Sequence, residues 1–304
     1  MTTRVSDEEL SLTGVVQHRP RLLGLAYRML GDVDEAEDIV QEAFLRWHLA
    51  HQASVRSPEA WLVSVVTRLS VDRLRRLETE RATYPGTWLP EPIATPALAP
   101  SGVPDTDHGA ELASDLSIAL LLLLERLAPE ERAAFLLREV FASDYADIAQ
   151  ILGRSADAVR QMVHRARSRV QTDRVRVETA PGEHRRILER FVEALRADDA
   201  EGLLSLLAPD VVLAGDGGGR APTARKPLVG TDHVSRFLLG VARKAGEVHL
   251  QWTRLNGGPA LVSIKDGAVV SAMTAVVECG CIRALHVMRN PEKLRHVLGP
   301  VDLV

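Results

Sequence analysis

Residues Asp144 to Val170, DYADIAQILGRSADAVRQMVHRARSRV, constrain the fold more than any other stretch of the chain. Ile148, Ala149 and Leu152 recur at helical spacing, Gly153 is the residue that most cheaply takes the positive φ ending a helix, and Ser155 can accept from the free amides that open the next one. Two helices with a sharp break between them are expected. In the second, Val159, Met162, Val163, Ala166 and Val170 form the apolar stripe, which turns Asp157, Arg160, Gln161, His164 and Ser168 to the opposite side. A helix fits the major groove, and Arg and Gln can each make paired hydrogen bonds to a purine edge. Residues 157–176 hold six arginines against two aspartates, a local balance of +4 that suits a phosphate backbone. The pattern therefore predicts a DNA-reading helix-turn-helix, with a helical hairpin bearing a solvated Arg-rich face as its bland alternative.

Composition sets the frame around this module. At 304 residues, 46% hydrophobic and 26% charged, the chain is long enough for two or three domains. Its net charge of −4 conceals a split: residues 1–176 carry 21 arginines and no lysine against 26 acids, the remainder 16 bases against 15 acids. The DNA signal is thus local. Arg outnumbers Lys 33 to 4, which reflects a GC-rich genome more than a function. Cys279 and Cys281 are the two cysteines, so no disulfide framework is implied and a cytoplasmic, reducing location is expected. They read as two ordinary thiols on one face of a strand, and neither a metal nor a cofactor is called for. The longest apolar run, Ile118 to Leu124, falls far short of the roughly 20 residues that cross a bilayer, and no signal peptide is recognisable.

Pro and Gly divide the chain. Helical patterns at Arg19–Leu30, Asp34–Ala50 and from Ser57 to about Leu77 predict a small helical domain over 1–82. Six prolines between Tyr84 and Gly109 make 83–111 a linker. Helices at Leu112–Leu127 and Pro129–Phe141 lead into the helix-turn-helix, giving a second helical domain over 112–176. Over 181–304, helices at Glu183–Arg196 and Ala200–Leu207 precede strand-like segments from Asp210 onward, with turns at Asn256-Gly257-Gly258 and Asp266-Gly267. An α+β domain with helices on a curved, mostly antiparallel sheet is expected there.

The first domain adds a second kind of signal. Asp34 to Phe44 puts five acids on a helix whose apolar stripe is Ala36, Ile39 or Val40, Ala43, Phe44 and Trp47. Such a face does not meet DNA; it is either solvated or docks on a basic protein surface. The next helix, Trp61 to Arg76, is basic towards its C-terminal end and suits a separated DNA strand, where stacking and cations govern binding.

At this point the chain resembles a bacterial RNA polymerase sigma factor of the extracytoplasmic function (ECF) group. The match covers Arg19 to Arg76 (RLLGLAYRMLGDVDEAEDIVQEAFLRWH, then SPEAWLVSVVTRLSVDRLRR) as region 2 and Leu112 to about Val170 as region 4. The resemblance implies that Asp38, Gln41 and Glu42 bind core RNA polymerase and that the following helix holds the melted minus-10 strand through Trp61, Ser64, Arg68, Asp72, Arg75 and Arg76. Arg68 stands where many members carry Asn. Region 4 would read the minus-35 element with Ser155, Asp157, Arg160, Gln161, His164, Arg165 and Ser168.

Three further marks narrow the resemblance. Trp88-Leu89-Pro90-Glu91-Pro92 in the linker, Asp216-Gly217-Gly218-Gly219-Arg220 in the last domain and Asn290-Pro291-Glu292-Lys293-Leu294 in the tail look like the WLPEP, DGGGK and NPDKL signatures of ECF factors fused to a SnoaL-like domain. Each alone reads as a rigid linker or a turn. Together they imply a nuclear-transport-factor-like cone acting as a tethered regulator, so that no separate anti-sigma factor is required, with room for a small ligand. Trp88 and Leu89 are expected to bury against Asp216–Arg220 and the tail.

Two rival functions remain at this level. A conventional helix-turn-helix regulator with a ligand-sensing domain would have no use for the acidic and strand-melting helices. A SnoaL-like enzyme would do proton transfer with groups drawn from Asp216, His233, His249, Asp266 and His286, but needs them within reach of one substrate.

Overall fold

The structure is a computed structural model, and it describes residues 17–50, 55, 57–94, 117–173 and 181–298. The N-terminal helices are α1 (Arg19–Leu30), α2 (Val33–Leu49) and α3 (Pro58–Arg81). Local chemistry explains their limits. Pro20 opens α1, Gly31 closes it at φ 69° with its N–H on the Tyr27 carbonyl, and Asp32 caps α2 by accepting from the Glu35 N–H at 3.1 Å. Ser57 Oγ accepts from the Ala60 N–H at the start of α3. After the linker come α4 (Ile118–Leu124), α5 (Pro129–Glu139), α6 (Tyr145–Leu152) and α7 (Ala156–Asp173). The expected start of the first of these, at Leu112, lies outside the described residues.

The chain forms two compact units. The first holds α1, α2, nearly all of α3, and α5 to α7, so the two expected helical domains pack as one body. Its core includes Leu22, Leu25, Tyr27, Met29, Leu62, Val66, Leu136 and Leu137. Arg132 of α5 ties the body together: buried at 3% exposure, it donates to the Met29 carbonyl at 2.6 Å and to Glu125 at 2.8 Å. A buried guanidinium is tolerable only with such partners.

The second unit holds the linker residues from Arg81, the start of α4 and everything from residue 181. Helices α8 (Pro181–Arg196), α9 (Ala200–Leu206) and α10 (Thr231–Lys244) pack on a six-stranded sheet in the order β2-β1-β6-β5-β4-β3. The strands are β1 (Leu207–Asp216), β2 (Leu228–Val229), β3 (His249–Leu255), β4 (Gly258–Lys265), β5 (Ala268–Glu278) and β6 (Cys281–Met288). β1 runs parallel to β6 and the other pairs are antiparallel. The hairpins turn at Asn256-Gly257, Asp266-Gly267 and Cys279-Gly280, all with positive φ at both positions, as the right-handed twist of paired strands prefers.

Two local expectations are corrected. Cys279 sits in the turn at φ 50° while Cys281 begins β6, so the cysteines do not share a strand. The strand-like stretch after Asp210 contains α10, whose Val234, Leu238 and Leu239 are buried. Its 3.6-residue period is hidden in sequence by flanking β-rich segments.

Period-2 alternation gives the sheet two apolar faces. One, with Leu213, Leu261, Ala275 and Leu285, is covered by Leu188, Phe191 and Leu203 of the helices. The other, with Ala214, Ala260, Val262, Ala272 and Met288, is covered by Leu89 from the linker and by Leu294 and Val297 from the tail.

Candidate nucleic-acid and regulatory sites

On α2, Asp38 and Gln41 are exposed and Glu42 is half-buried, held by Arg46 one turn on at 2.7 Å. The buried side is Ala36, Ile39, Val40, Ala43 and Trp47, with Phe44 only half-buried. Two residues missed in the sequence extend this acidic face: Leu45 and Leu49, 56% and 83% exposed, lie seven and eleven positions after Asp38 and share its side of the helix. That spacing was the available signal. The face therefore combines acids with bare leucines and is not uniformly charged.

On α3, Trp61, Ser64, Arg68, Asp72 and Arg75 fall along one helical stripe, with Arg76 beside it. Trp61 meets Trp47 edge to face at 5.3 Å, which fixes its ring. Arg68, Asp72, Arg75 and Arg76 are exposed. Arg68 donates from Nε to the Ile151 carbonyl at 2.9 Å and from Nη2 to the Gln150 carbonyl at 3.0 Å, so it caps the C-terminal end of α6, the first helix of the helix-turn-helix. Arg75 bonds Asp72 at 3.0 Å and Glu130 of α5 at 2.6 Å, and Arg154 reaches the same Glu130 carboxylate at 3.4 Å. Those pairs with Arg75 and Arg154 hold Glu130 below the usual carboxylate range, against the opposing push of its partial burial.

The helix-turn-helix is built as its sequence predicts. Gly153 takes φ 64°, Ser155 Oγ accepts from the Ala158 N–H at 3.2 Å, and Val159, Val163, Ala166 and Val170 are buried. Ser155, Asp157, Arg160, Gln161, His164, Arg165 and Ser168 are all exposed. Arg160 is braced by an ion pair with Asp157 and by the Tyr145 ring at 5.5 Å. The structure revises the local charge: Arg165 and Arg169 both meet Glu131 of α5, at 3.2 and 2.7 Å, and Arg167 meets Glu139 at 2.6 Å. The cations facing α5 are therefore largely neutralised, which leaves Arg160, Gln161 and His164 as the distinctive outward groups.

In the second unit the three short motifs converge on Asp216, which is fully buried. Its Oδ2 accepts from the Leu89 N–H at 3.0 Å and from Lys293 Nζ at 2.8 Å. Its Oδ1 accepts from the Tyr84 hydroxyl at 2.6 Å and from the Gly218 N–H at 3.0 Å. Lys293 Nζ also donates to the Leu89 carbonyl at 2.7 Å and lies 4.1 Å from the Trp88 ring centre, whose neighbouring cation is Arg81 at 3.5 Å. Burial, and the hydrogen bond to Asp216, push the Tyr84 phenol far above its ordinary pKa, so it stays a neutral donor.

The glycines of the second motif are required by space. A Cβ on Gly218, at φ 58°, would lie 2.5 Å from Asn290 Nδ2, and one on Gly217 would lie 2.0 Å from the Ala221 carbonyl oxygen. Asn290 caps the short 3-10 turn Pro291–Leu294 by accepting from the Glu292 N–H, and donates to Tyr84 at 3.0 Å. Arg220 and Glu292 pair at 2.8 Å in an exposed position. Glu91, 3% exposed, pairs with His296 at 2.7 Å, while the Ile93 N–H donates to Asn256 Oδ1 at 3.1 Å and the Ile93 carbonyl accepts from the Asn256 N–H at 2.9 Å. The linker contacts of Tyr84, Asn256 and His296 were not expected from the sequence, which placed Asn256 only in a turn, because each is made with a partner more than 130 positions away.

The groups considered for acid-base chemistry do not assemble into one site. Asp216 and His286 share a sheet face, but Asp216 is fully engaged as above. His286 lines a narrow cleft with Thr274, Met288 and the linker residues Leu89, Pro90 and Pro92, and burial lowers its pKa to about 4. His233 and His249 are exposed on α10 and β3, and Asp266 lies in a hairpin turn. Among the described residues, no group of three or more His, Cys, Asp or Glu could hold a metal ion, and no helix is long and apolar enough to cross a membrane.

Comparison with known proteins agrees with this geometry. Residues 15–80 match the Sigma-70 region 2 model and residues 117–170 the Sigma-70 region 4 model. The chain is 39% identical over 288 residues to the ECF RNA polymerase sigma factor SigJ of Mycobacterium tuberculosis, covering 90% of each chain. It is 33% identical over 279 residues to the probable ECF sigma factor SigI of the same species, covering 91% of this chain and 92% of the relative. The crystal structure of SigJ superposes with a TM-score of 0.73 at 34% identity, over 96% of this chain and all of the other. With region 2, region 4 and an α+β extension matched along nearly its whole length, the chain belongs to the ECF RNA polymerase sigma factors.

Proposed function

We propose that the protein binds core RNA polymerase and directs promoter-specific initiation of transcription, with its C-terminal domain as a built-in regulator. The observation that carries the reading is the coexistence, in one chain, of an exposed face on α7 bearing Arg160, Gln161 and His164 and an acidic, leucine-bearing face on α2. A conventional helix-turn-helix regulator has no task for the second. Asp38, Gln41, Glu42, Leu45 and Leu49 dock on polymerase; Trp61, Ser64, Asp72, Arg75 and Arg76 meet the minus-10 strand; Arg160, Gln161 and His164 read the minus-35 element. Arg68 serves the minus-10 strand only after leaving the α6 carbonyls.

Regulation acts through the linker. The segment Trp88–Ile93 is held by Asp216, Lys293 and Asn256 and lies between regions 2 and 4 in sequence, so gripping or releasing it changes the length of free chain joining them. A tethered regulator works at high effective concentration and needs no separate anti-sigma factor. The C-terminal domain has no enzymatic role in this reading. The test is promoter-dependent transcription with purified core polymerase, comparing the full chain, a chain ending near Thr179, and the full chain with Asp38→Arg and Glu42→Arg. Transcription by the first, altered activity in the second and loss in the third are expected. No transcription from any of them sinks the sigma reading, and equal activity of the first two sinks the regulator.

A further inference from the structure

The linker is held as a bound peptide is held. From Leu89 to Ala94 the C-terminal domain holds main chain at both ends of the segment: both backbone groups of Leu89 are taken, by Asp216 and Lys293, and both of Ile93, by Asn256. The Ala94 N–H donates to the His296 carbonyl at 3.2 Å, and Ala94 forms an antiparallel bridge with Leu255 at the end of β3. Side chains supply selectivity. Leu89 and Ile93 are anchors at 2% and 3% exposure, Glu91 is enclosed against His296, and Trp88 lies beside two cations. Pro90 and Pro92 pre-set the extended backbone, which lowers the ordering cost of binding.

Apart from Arg81 beside the Trp88 ring, these contacts are made by side chains and backbone of the segments 216–218, 255–256 and 290–298, supplied by the C-terminal domain. Nothing in them requires that the peptide be covalently joined to the same chain. We propose that this sheet face is a peptide-binding site for extended segments of the pattern aromatic-Leu-Pro-Glu-Pro-Ile, with the linker as its resident ligand, and that it accepts the same pattern in trans once the resident segment is displaced. The ligand class is an acidic, proline-bearing peptide: a Leu and an Ile four residues apart for the apolar wells, a Glu between them for His296, and an aromatic ring ahead for Lys293 and Arg81. The inference does not depend on the sigma assignment, because it concerns only what this face binds.

The test uses the full chain and a fluorescein-labelled peptide of residues 84–95, YPGTWLPEPIAT. In the full chain carrying Leu89→Asp and Ile93→Asp the resident segment loses both anchors. Fluorescence anisotropy is expected to show saturable binding of the peptide to this variant and at least about 100-fold weaker binding to the unaltered chain, whose own linker competes at high effective concentration. The peptide carrying the equivalent of Leu89→Asp, and the one carrying the equivalent of Glu91→Lys, should each lose most of the affinity. Far-UV circular dichroism and a cooperative unfolding transition establish that the variant is folded. Should it not fold, Leu89→Ala alone loosens the resident segment and takes its place. Absence of binding to the folded variant, or equal binding of the parent and altered peptides, overturns the proposal; failure of the transcription test leaves it standing.

Discussion

Asp216 and Lys293, 77 positions apart, form an ion pair of 2.8 Å in which the side chains retain 0% and 6% exposure. Each is also satisfied by the linker: Asp216 accepts from the Leu89 N–H and Lys293 donates to the Leu89 carbonyl. The pair is therefore a grip on the linker as well as a bridge within the domain. Desolvating two charges is costly, and the additional hydrogen bonds offset that cost.

Removing one partner leaves the other buried and uncompensated. Lys293→Met is expected to destabilise the domain by about 3–5 kcal/mol. Arg220→Ala, which breaks an exposed pair with Glu292, should cost less than about 1 kcal/mol. Denaturant unfolding of both variants checks the contrast, and equal losses would show that burial of the first pair is unimportant.

Backbone space at the second motif makes a different demand. Gly218→Ala places a Cβ 2.5 Å from Asn290 Nδ2 at a positive φ, and a loss of about 1–3 kcal/mol is expected. Gly240→Ala, in the middle of α10 with nothing within 4 Å, should instead stabilise by up to about 1 kcal/mol. Thermal unfolding should move the two variants in opposite directions.

Promoter choice should follow exposure on α7 rather than arginine count. Arg160→Ala is expected to relax preference at one base pair of the upstream element, worth about 1–3 kcal/mol. Arg167→Ala, whose partner is Glu139, should leave sequence preference unchanged. Competition assays with single-base promoter variants, run with the polymerase holoenzyme at fixed salt, measure this directly.

The face on α2 separates binding from folding. Leu49 is 83% exposed, so Leu49→Ser should leave unfolding stability within about 0.5 kcal/mol while weakening capture of core polymerase. Unaltered polymerase affinity would remove Leu49 from the docking face.

Stability should also fall in mild acid. Burial lowers His286 to about 4 from an ordinary 6.5, and lowers His184 as well, against a hydrogen bond to the Ala275 backbone. The unfolded chain then binds more protons, so this contribution is complete above about pH 6.5 and is lost as pH falls towards 4. The slope for His286 is at most about 1.4 kcal/mol per pH unit, and residual solvent contact in its cleft makes it shallower. Unfolding free energy against pH for His286→Gln should show a flatter decline than the parent; an identical decline would exclude His286.

Much of the fold was legible because it rests on short-range rules. Gly153 ending α6, Ser155 capping α7, the Asn256-Gly257 and Asp266-Gly267 hairpins and the buried stripe from Val159 to Val170 each follow from residues within a few positions of one another. α10 escaped notice because it stands among strands, and Cys279 was placed in a strand although it occupies a turn at φ 50°. The candidate DNA-facing groups of α7 were likewise readable from periodicity, but the quenching of Arg165, Arg167 and Arg169 by α5 was not.

The sequence by itself determined the amphipathic faces, the helix and hairpin boundaries and the family, since periodicity and motif order are local properties of the chain. The family resemblance already led to the expectation that Trp-Leu-Pro-Glu-Pro, Asp-Gly-Gly-Gly-Arg and Asn-Pro-Glu-Lys-Leu meet; only the tertiary structure decided that they meet on one buried carboxylate, and through which atoms. That carboxylate is shared by Tyr84, Leu89 and Lys293 across separations of 132, 127 and 77 residues. No local pattern encodes those pairings. They exist because folding buries Asp216 and the Leu89 backbone together, where every polar group must find a partner.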